Sequence, residues 1–172
     1  MEEAEQAWAS IEAHLHKLED ALADIHRELL DLEGRLNRVR RQLTDVESEG
    51  LEVAREIRAK RHEINRIRHK IKKHAHLLAE MDPDVAPREY ERLREERDRF
   101  QQELHEALET LEALRQRYDE VLDRERQLVG EEWALEQAHQ RLRERYDRLL
   151  RQMHRTSQRL QRQVRDARVR HY

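Results

Sequence analysis

The sequence contains no cysteine, only two prolines and three glycines, and aromatic residues make up 4% of its 172 positions. Without cysteine, the chain can form neither a disulfide framework nor a thiolate metal site. The few prolines and glycines leave long stretches with no helix-breaking residue. The scarcity of aromatic residues argues against the thick core of a globular domain of this length.

Long apolar runs are also missing, because no stretch approaches the roughly 18 apolar residues that a membrane-spanning helix needs. The first residues, Met1-Glu2-Glu3-Ala4-Glu5, are acidic where a secretory signal is basic and then apolar. We therefore expect an intracellular, cytoplasmic protein without a membrane segment.

What the chain does contain is charge: 42% of its residues are Asp, Glu, Lys or Arg, with Leu, Ala and Gln also abundant. This composition is typical of long helices and coiled coils. The two prolines, Pro83 and Pro87, lie near the midpoint of the chain, where they interrupt any helix that runs through them. The sequence predicts a first helix over 1–81, a turn over 82–87 built on Pro83, Asp84 and Pro87, and a second helix over 88–172. The polar tail after Gln163 is expected to fray.

Both arms carry a heptad pattern. In the first arm, alternating steps of four and three from Ala4 define two lines, in which only Lys60, His74 and Gly50 depart from apolar residues among 23 positions. The second arm repeats the pattern from Tyr90, with polar interruptions at 97, 125, 132 and 139. Such repeats predict coiled-coil packing. We expect an all-α antiparallel coiled-coil hairpin, which can dimerise into a four-helix bundle.

The two heptad patterns also suggest a register. If the fold lies at Pro83–Asp84, facing residue numbers add to 167 to 168. This register pairs Gly50 with Tyr118, a missing side chain against a bulky ring, and Lys60 with Ala107, which leaves room for the lysine stem. It also places Glu125 and Glu132 in the seam, where arginines between 35 and 41 can reach them.

Charge supports the antiparallel orientation. Residues 1–33 contain ten acidic and two basic residues, whereas 141–172 contain eleven arginines and three acidic residues. Residues 55–76 contain nine basic and two acidic residues and are expected to lie opposite glutamates 103, 106, 109 and 112. Each ion pair is worth only a few tenths of a kcal/mol, but such pairs select helix orientation.

The second arm has an extra apolar row beside its heptad lines. We call it the outer row, and it consists of Leu108, Leu122, Val129, Trp133, Leu150 and Val164. We expect the helix to rotate toward this row between about 122 and 139. An exposed apolar row needs a partner, so it is the candidate face for self-association or for docking of another helix.

The basic stretch 55–73 is a second candidate surface. Nucleic-acid phosphates are its possible ligands, through Arg58, Arg61, Arg68 and Lys72. The stretch contains no aromatic residue for base stacking. A solvated face neutralised by the glutamates of the other arm is the simpler interpretation, so the sequence does not favour a nucleic-acid partner.

Catalytic and cofactor motifs are not evident. The eleven histidines suggest metal binding, but no two are three or four residues apart, as a helical metal site requires. The three glycines are isolated, and neither Ser10 nor Ser48 has a base-and-orienter pattern. We expect no catalytic residues, metal, cofactor or small-molecule substrate.

Taken together, these patterns favour a non-enzymatic structural or scaffolding protein that binds protein partners, itself included. The alternative is a nucleic-acid-associated protein that uses residues 55–73.

Overall fold

The computed structural model describes residues 2–170, which form two long helices packed against each other as a hairpin. Helix α1 spans Glu2–Glu80 and helix α2 spans Pro87–Arg170. The predicted all-α helical hairpin is therefore confirmed. Met1, His171 and Tyr172, at the outer ends of the two predicted helices, lie outside the described residues. Residues after Gln163 are helical up to Arg170, and their fraying stays a prediction.

The turn is organised by Asp82. Its side-chain Oδ1 accepts a hydrogen bond from the backbone N–H of Asp84 at 2.9 Å, and its carbonyl oxygen accepts from the N–H groups of Val85 and Ala86. Pro87 is the first residue of α2 rather than the last of the turn. Proline suits this position because the first N–H groups of a helix have no partner within it.

The chain divides into two packing units. The terminal unit comprises Met1–Gln42 and Leu128–Tyr172, and the turn unit comprises Leu43–Gln127. In the terminal unit, Arg40 of α1 contacts Glu132 and Glu136 of α2, whereas Glu33 contacts His139. In the turn unit, Glu49 contacts Arg124 and His74 contacts Glu96. Within each unit, rising numbers in α1 meet falling numbers in α2, so the helices are antiparallel.

The heptad lines form the seam between the helices. Nearly every heptad position is buried or half-buried, the exceptions being Ala4, Gln163 and Ala167 among the described residues. The most deeply buried side chains, Val53 and Val121, lie in the turn unit and are 0% and 1% exposed. Fully burying a valine side chain is worth about 1.5–3 kcal/mol, so this unit holds the best-packed part of the seam.

The predicted register is wrong. A Cβ added to Gly50 would lie 3.5 Å from Val121 Cγ1, and Tyr118 is not within 4 Å of it. These two residue numbers, 50 and 121, add to 171 rather than 167 to 168. The reason is that each layer of an antiparallel coiled coil combines one heptad line from one helix with the opposite line of the other. The predicted pairing of Gly50 with Tyr118 is wrong because both residues belong to the same heptad line of their respective helices.

The predicted pairing of Lys60 with Ala107 fails for the same reason. With the corrected register, Ile64 takes the place opposite Ala107. Ala107 lies in a buried cluster with Ile64, Ile67 and Leu111. The Lys60 ammonium instead contacts Glu63 Oε2 of its own helix at 2.8 Å.

Candidate interaction surfaces

The outer row is not uniformly exposed. In the terminal unit, Trp133 is 64% exposed and Val129 is 51% exposed, whereas Leu150 is only 38% exposed and Val164 is half-buried. In the turn unit, Leu108 is 37% exposed and Leu122 is half-buried. Most of the row flanks the seam and is partly covered by it. Val129 and Trp133 are therefore its two most accessible members.

The predicted rotation of α2 toward the outer row does not occur. Glu132 and His139 remain at the seam, where their side chains are mostly covered, while Val129 and Trp133 stay outside. Glu132 Oε2 lies 3.6 Å from Arg40 Nε, and His139 Nε2 lies 3.2 Å from Glu33 Oε1. The expected pairing of Glu132 with an arginine of the first arm is thus found. Because Glu132 and His139 each have a partner on α1, these polar side chains can occupy the seam in place of residues of the outer row.

A short uncharged strip surrounds Trp133 on the outer side of α2, between exposed charged residues at 126, 131 and 136. Five exposed and uncharged residues lie along one side of the helix, as their spacing requires: Val129, Gly130, Trp133, Ala134 and Gln137. We call these five residues the uncharged patch. A Cβ added to Gly130 would meet no atom within 4 Å, so the helix backbone at Gly130 is open to solvent, three residues from Trp133.

The basic stretch projects into solvent in the turn unit. Two of its nine cations are engaged locally, since Lys60 contacts Glu63 and the Lys70 ammonium lies 5.4 Å from the Phe100 ring centre. The other seven are exposed, and within residues 2–170 none has a carboxylate oxygen within 4.0 Å. These seven are Arg55, Arg58, Arg61, Arg66, Arg68, Lys72 and Lys73.

Two of the four α2 glutamates expected to face this stretch bind side chains of their own helix. The Glu106 carboxylate accepts a hydrogen bond from Gln102, and Glu109 contacts His105 at 3.0 Å, so both are bound within their own helix. In the described part of the chain, no ion pair joins the basic stretch to Glu103, Glu106, Glu109 or Glu112. Direct ion pairs across the seam are not formed here, because residues 106, 109 and 112 occupy heptad positions that point away from the seam.

A groove runs beside the basic stretch. It has a volume of about 420 Å³, and Ile57, Arg58 and Arg61 line it from α1. Arg115 and Tyr118 line it from α2, together with Asp119 and, from α1, Ala54. Three guanidinium groups therefore border one groove with a single carboxylate. The sequence reasoning missed Arg115, although its position flanking the second heptad pattern could have indicated it.

His74 is a polar residue of the seam with two partners. Its Nε2 lies 2.9 Å from Glu96 Oε2, and its Nδ1 lies 3.0 Å from the carbonyl oxygen of Lys70. Both partners are hydrogen-bond acceptors, so each ring nitrogen has a group to which it can donate. This hydrogen bond from His74 is the main cause that lowers the pKa of the Glu96 carboxyl, with Arg92 adding to it.

Comparison with protein-family models, with curated proteins and with solved structures finds no match to this chain. Among residues 2–170, no helix combines the length and apolar character needed to cross a membrane. Within the same range, no cluster of three His, Asp or Glu side chains is arranged to hold a metal ion.

Proposed function

We propose that the protein is a non-enzymatic structural protein that self-associates through the uncharged patch of α2. The observation that carries this proposal is Trp133, which is 64% exposed in a chain with only 4% aromatic residues. Large apolar side chains that stay accessible beside small uncharged neighbours are typical of interaction sites.

A second copy of the chain suits this patch because the patch combines a large exposed ring, Trp133, with an uncovered glycine, Gly130, that can receive one. If two α2 helices cross antiparallel about a two-fold axis between residues 131 and 132, Trp133 of each copy lies over Gly130 of the other. A tryptophan buries roughly 150–250 Å² in such a contact, and a glycine allows the ring to approach the helix backbone closely. The product is a four-helix bundle made of two hairpins.

A large side chain at position 130 tests whether the partner's Trp133 ring packs over this glycine. Gly130→Leu raises helix propensity and meets no atom of its own chain, so the monomer is expected to gain stability. In the dimer, the added side chain occupies the space of the partner's ring. Sedimentation velocity over a concentration series is expected to show at least a tenfold weaker dimer for Gly130→Leu and for Trp133→Ala.

Gly34→Leu is the matched control, because Gly34 is also exposed and a Cβ there would also meet no atom within 4 Å. It is expected to leave the dimerisation constant unchanged. A wild-type chain that sediments as a monomer at the highest concentration, or equal effects of Gly34→Leu and Gly130→Leu, would contradict the proposal.

A further inference from the structure

We infer that the outward face of α1 between Arg55 and Lys73 binds the phosphate backbone of a nucleic-acid duplex. Seven cations of this segment are exposed and have no carboxylate oxygen within 4.0 Å among the described residues. Its two acidic residues each have a basic partner, since Glu63 contacts Lys60 of the same segment and Glu56 lies 3.9 Å from Arg117 of α2. Nine cations against these two carboxylates leave residues 55–73 with a net charge of +7.

Four of these cations form a stripe on one side of α1. Arg58, Arg61, Arg68 and Lys72 follow one another at intervals of three, seven and four residues, which keeps them on the same side of the helix. They span about 21 Å at 1.5 Å for each residue. A duplex offers one phosphate charge about every 1.7 Å of its axis, so each cation of the stripe can reach a phosphate.

The groove extends this stripe onto the second helix. Arg115 lies across the groove from Arg58 and Arg61, so cations from both helices converge there. A guanidinium group can donate two parallel hydrogen bonds to one phosphate. Three such groups around one groove provide an anchoring point, while Arg68 and Lys72 continue the contact along the helix.

A duplex fits this face better than the other polyanions. Single strands bind through successive aromatic platforms for their bases, whereas residues 55–73 contain no Phe, Trp or Tyr and the groove adds one such side chain, Tyr118. A helix that binds an anionic membrane inserts large apolar side chains, and this segment exposes none in the described structure. A regular array of phosphates on a rigid duplex matches a rigid stripe of cations.

Fluorescence anisotropy of the full chain with a labelled 20-base-pair DNA duplex tests the inference. The wild type is expected to bind at 50 mM salt, with affinity that falls steeply as salt rises. The variant Arg58→Gln/Arg61→Gln/Arg68→Gln/Lys72→Gln is expected to bind at least tenfold more weakly, with a salt slope flatter by about 3.6, since four phosphate contacts are lost. Arg115→Gln alone is expected to weaken binding severalfold.

The control removes the same charge from the terminal unit, with Arg145, Arg148, Arg159 and Arg162 changed to Gln. Those arginines share their unit with the acidic block of residues 2–33, so duplex affinity is expected to change less than twofold. Circular dichroism checks that both variants stay helical. Equal losses in the two variants, no binding at 50 mM salt, or tighter binding to single strands, anionic vesicles or polyglutamate would overturn the inference.

This inference is independent of self-association. The stripe variant is expected to retain the wild-type dimerisation constant, and Gly130→Leu is expected to retain a bound state on the duplex. Loss of dimer formation in the stripe variant would show instead that residues 55–73 contribute to the interface between copies, which contradicts the inference.

Discussion

Gly50 lies half-buried in the seam of the turn unit, with Val121 Cγ1 3.5 Å from the position of a Cβ. That distance is an ordinary van der Waals contact rather than a clash. A methyl group at this position fills space in the seam without displacing its neighbour. The glycine is therefore a small gap in the packing rather than a receptor for the Tyr118 ring.

Gly50→Ala is expected to stabilise the chain by about 1 kcal/mol, because alanine has the higher helix propensity and its methyl group contacts Val121. Urea unfolding followed by circular dichroism measures the free energy of unfolding. In the background Tyr118→Ala the gain is expected to be unchanged within about 0.5 kcal/mol, since the two positions do not touch. A gain that depends on Tyr118 would restore the 167-to-168 register.

At the scale of the two helices, polar residues in the seam depend on partners from the opposite helix. His74 of α1 contacts Glu96 of α2 in the turn unit, and its ring packs edge-on against Phe100 with centroids 5.1 Å apart. His139 of α2 contacts Glu33 of α1 in the terminal unit. Each pair places a hydrogen bond in a layer of the seam that apolar side chains otherwise fill, so helix packing there depends on both partners.

The Glu96 pair predicts a specific loss of stability in acid. His74 lowers the pKa of Glu96 below its ordinary value of 4.5, so the folded state favours the ionised carboxylate. The stabilisation is present above the unfolded-state pKa and is lost as the pH falls through the lower folded-state pKa. Glu96→Gln is therefore expected to flatten the decline of the urea midpoint below about pH 4.5.

Glu95→Gln is the control for this measurement, because Glu95 is exposed and has no cross-helix partner among the contacts of the described residues. It is expected to leave the slope of the acid limb closer to that of the wild type. The same slope for wild type and Glu96→Gln would show that the His74 hydrogen bond does not form in solution.

At the scale of the whole molecule, charge is distributed differently in the two units. The terminal unit combines the acidic block of 1–33 with the basic block of 141–172, which are nearly equal and opposite in charge. The turn unit has its basic residues on the outward face of α1, while glutamates 106, 109 and 112 point outward from α2. The turn unit thus concentrates exposed basic residues on α1, while these glutamates lie on α2.

The hairpin predicts that the two ends of the chain meet within one molecule. In the terminal unit, Trp8 and Val164 line the same groove of about 630 Å³. Spin labels at Trp8→Cys and Leu160→Cys are expected to be close, because packed helix axes are roughly 8–10 Å apart. Pulsed electron resonance measures that distance in a chain that has no other cysteine.

Dilution with unlabelled protein separates the two sources of a short distance. A signal from one molecule persists on dilution, whereas a signal between two copies disappears. A continuous helix would place the labels more than 200 Å apart at 1.5 Å for each residue. Disappearance of the short distance on dilution would contradict the hairpin.

The two helices, the turn between them and the buried heptad lines are all predictable from the sequence alone. Heptad spacing identifies the buried line of each helix because side chains three and four residues apart share a face, and Pro83 removes the hydrogen bond that a continuous helix needs. Charge blocks then favour the antiparallel orientation. Heptad spacing, proline positions and charge blocks are local properties, so they can be recognised in the sequence.

Which residues of the two helices face each other depends on how the helices pack. A shift of a few residues in register leaves each heptad pattern intact but changes every facing pair, so Gly50 meets Val121 and Arg115 joins Arg58 and Arg61 at one groove. Likewise, Glu132 and His139 stay in the seam because they contact Arg40 and Glu33 of α1. Trp133 is therefore left exposed on the outer side of α2. Such outcomes depend on side chains far apart in sequence, and their energies are set only once the two helices pack.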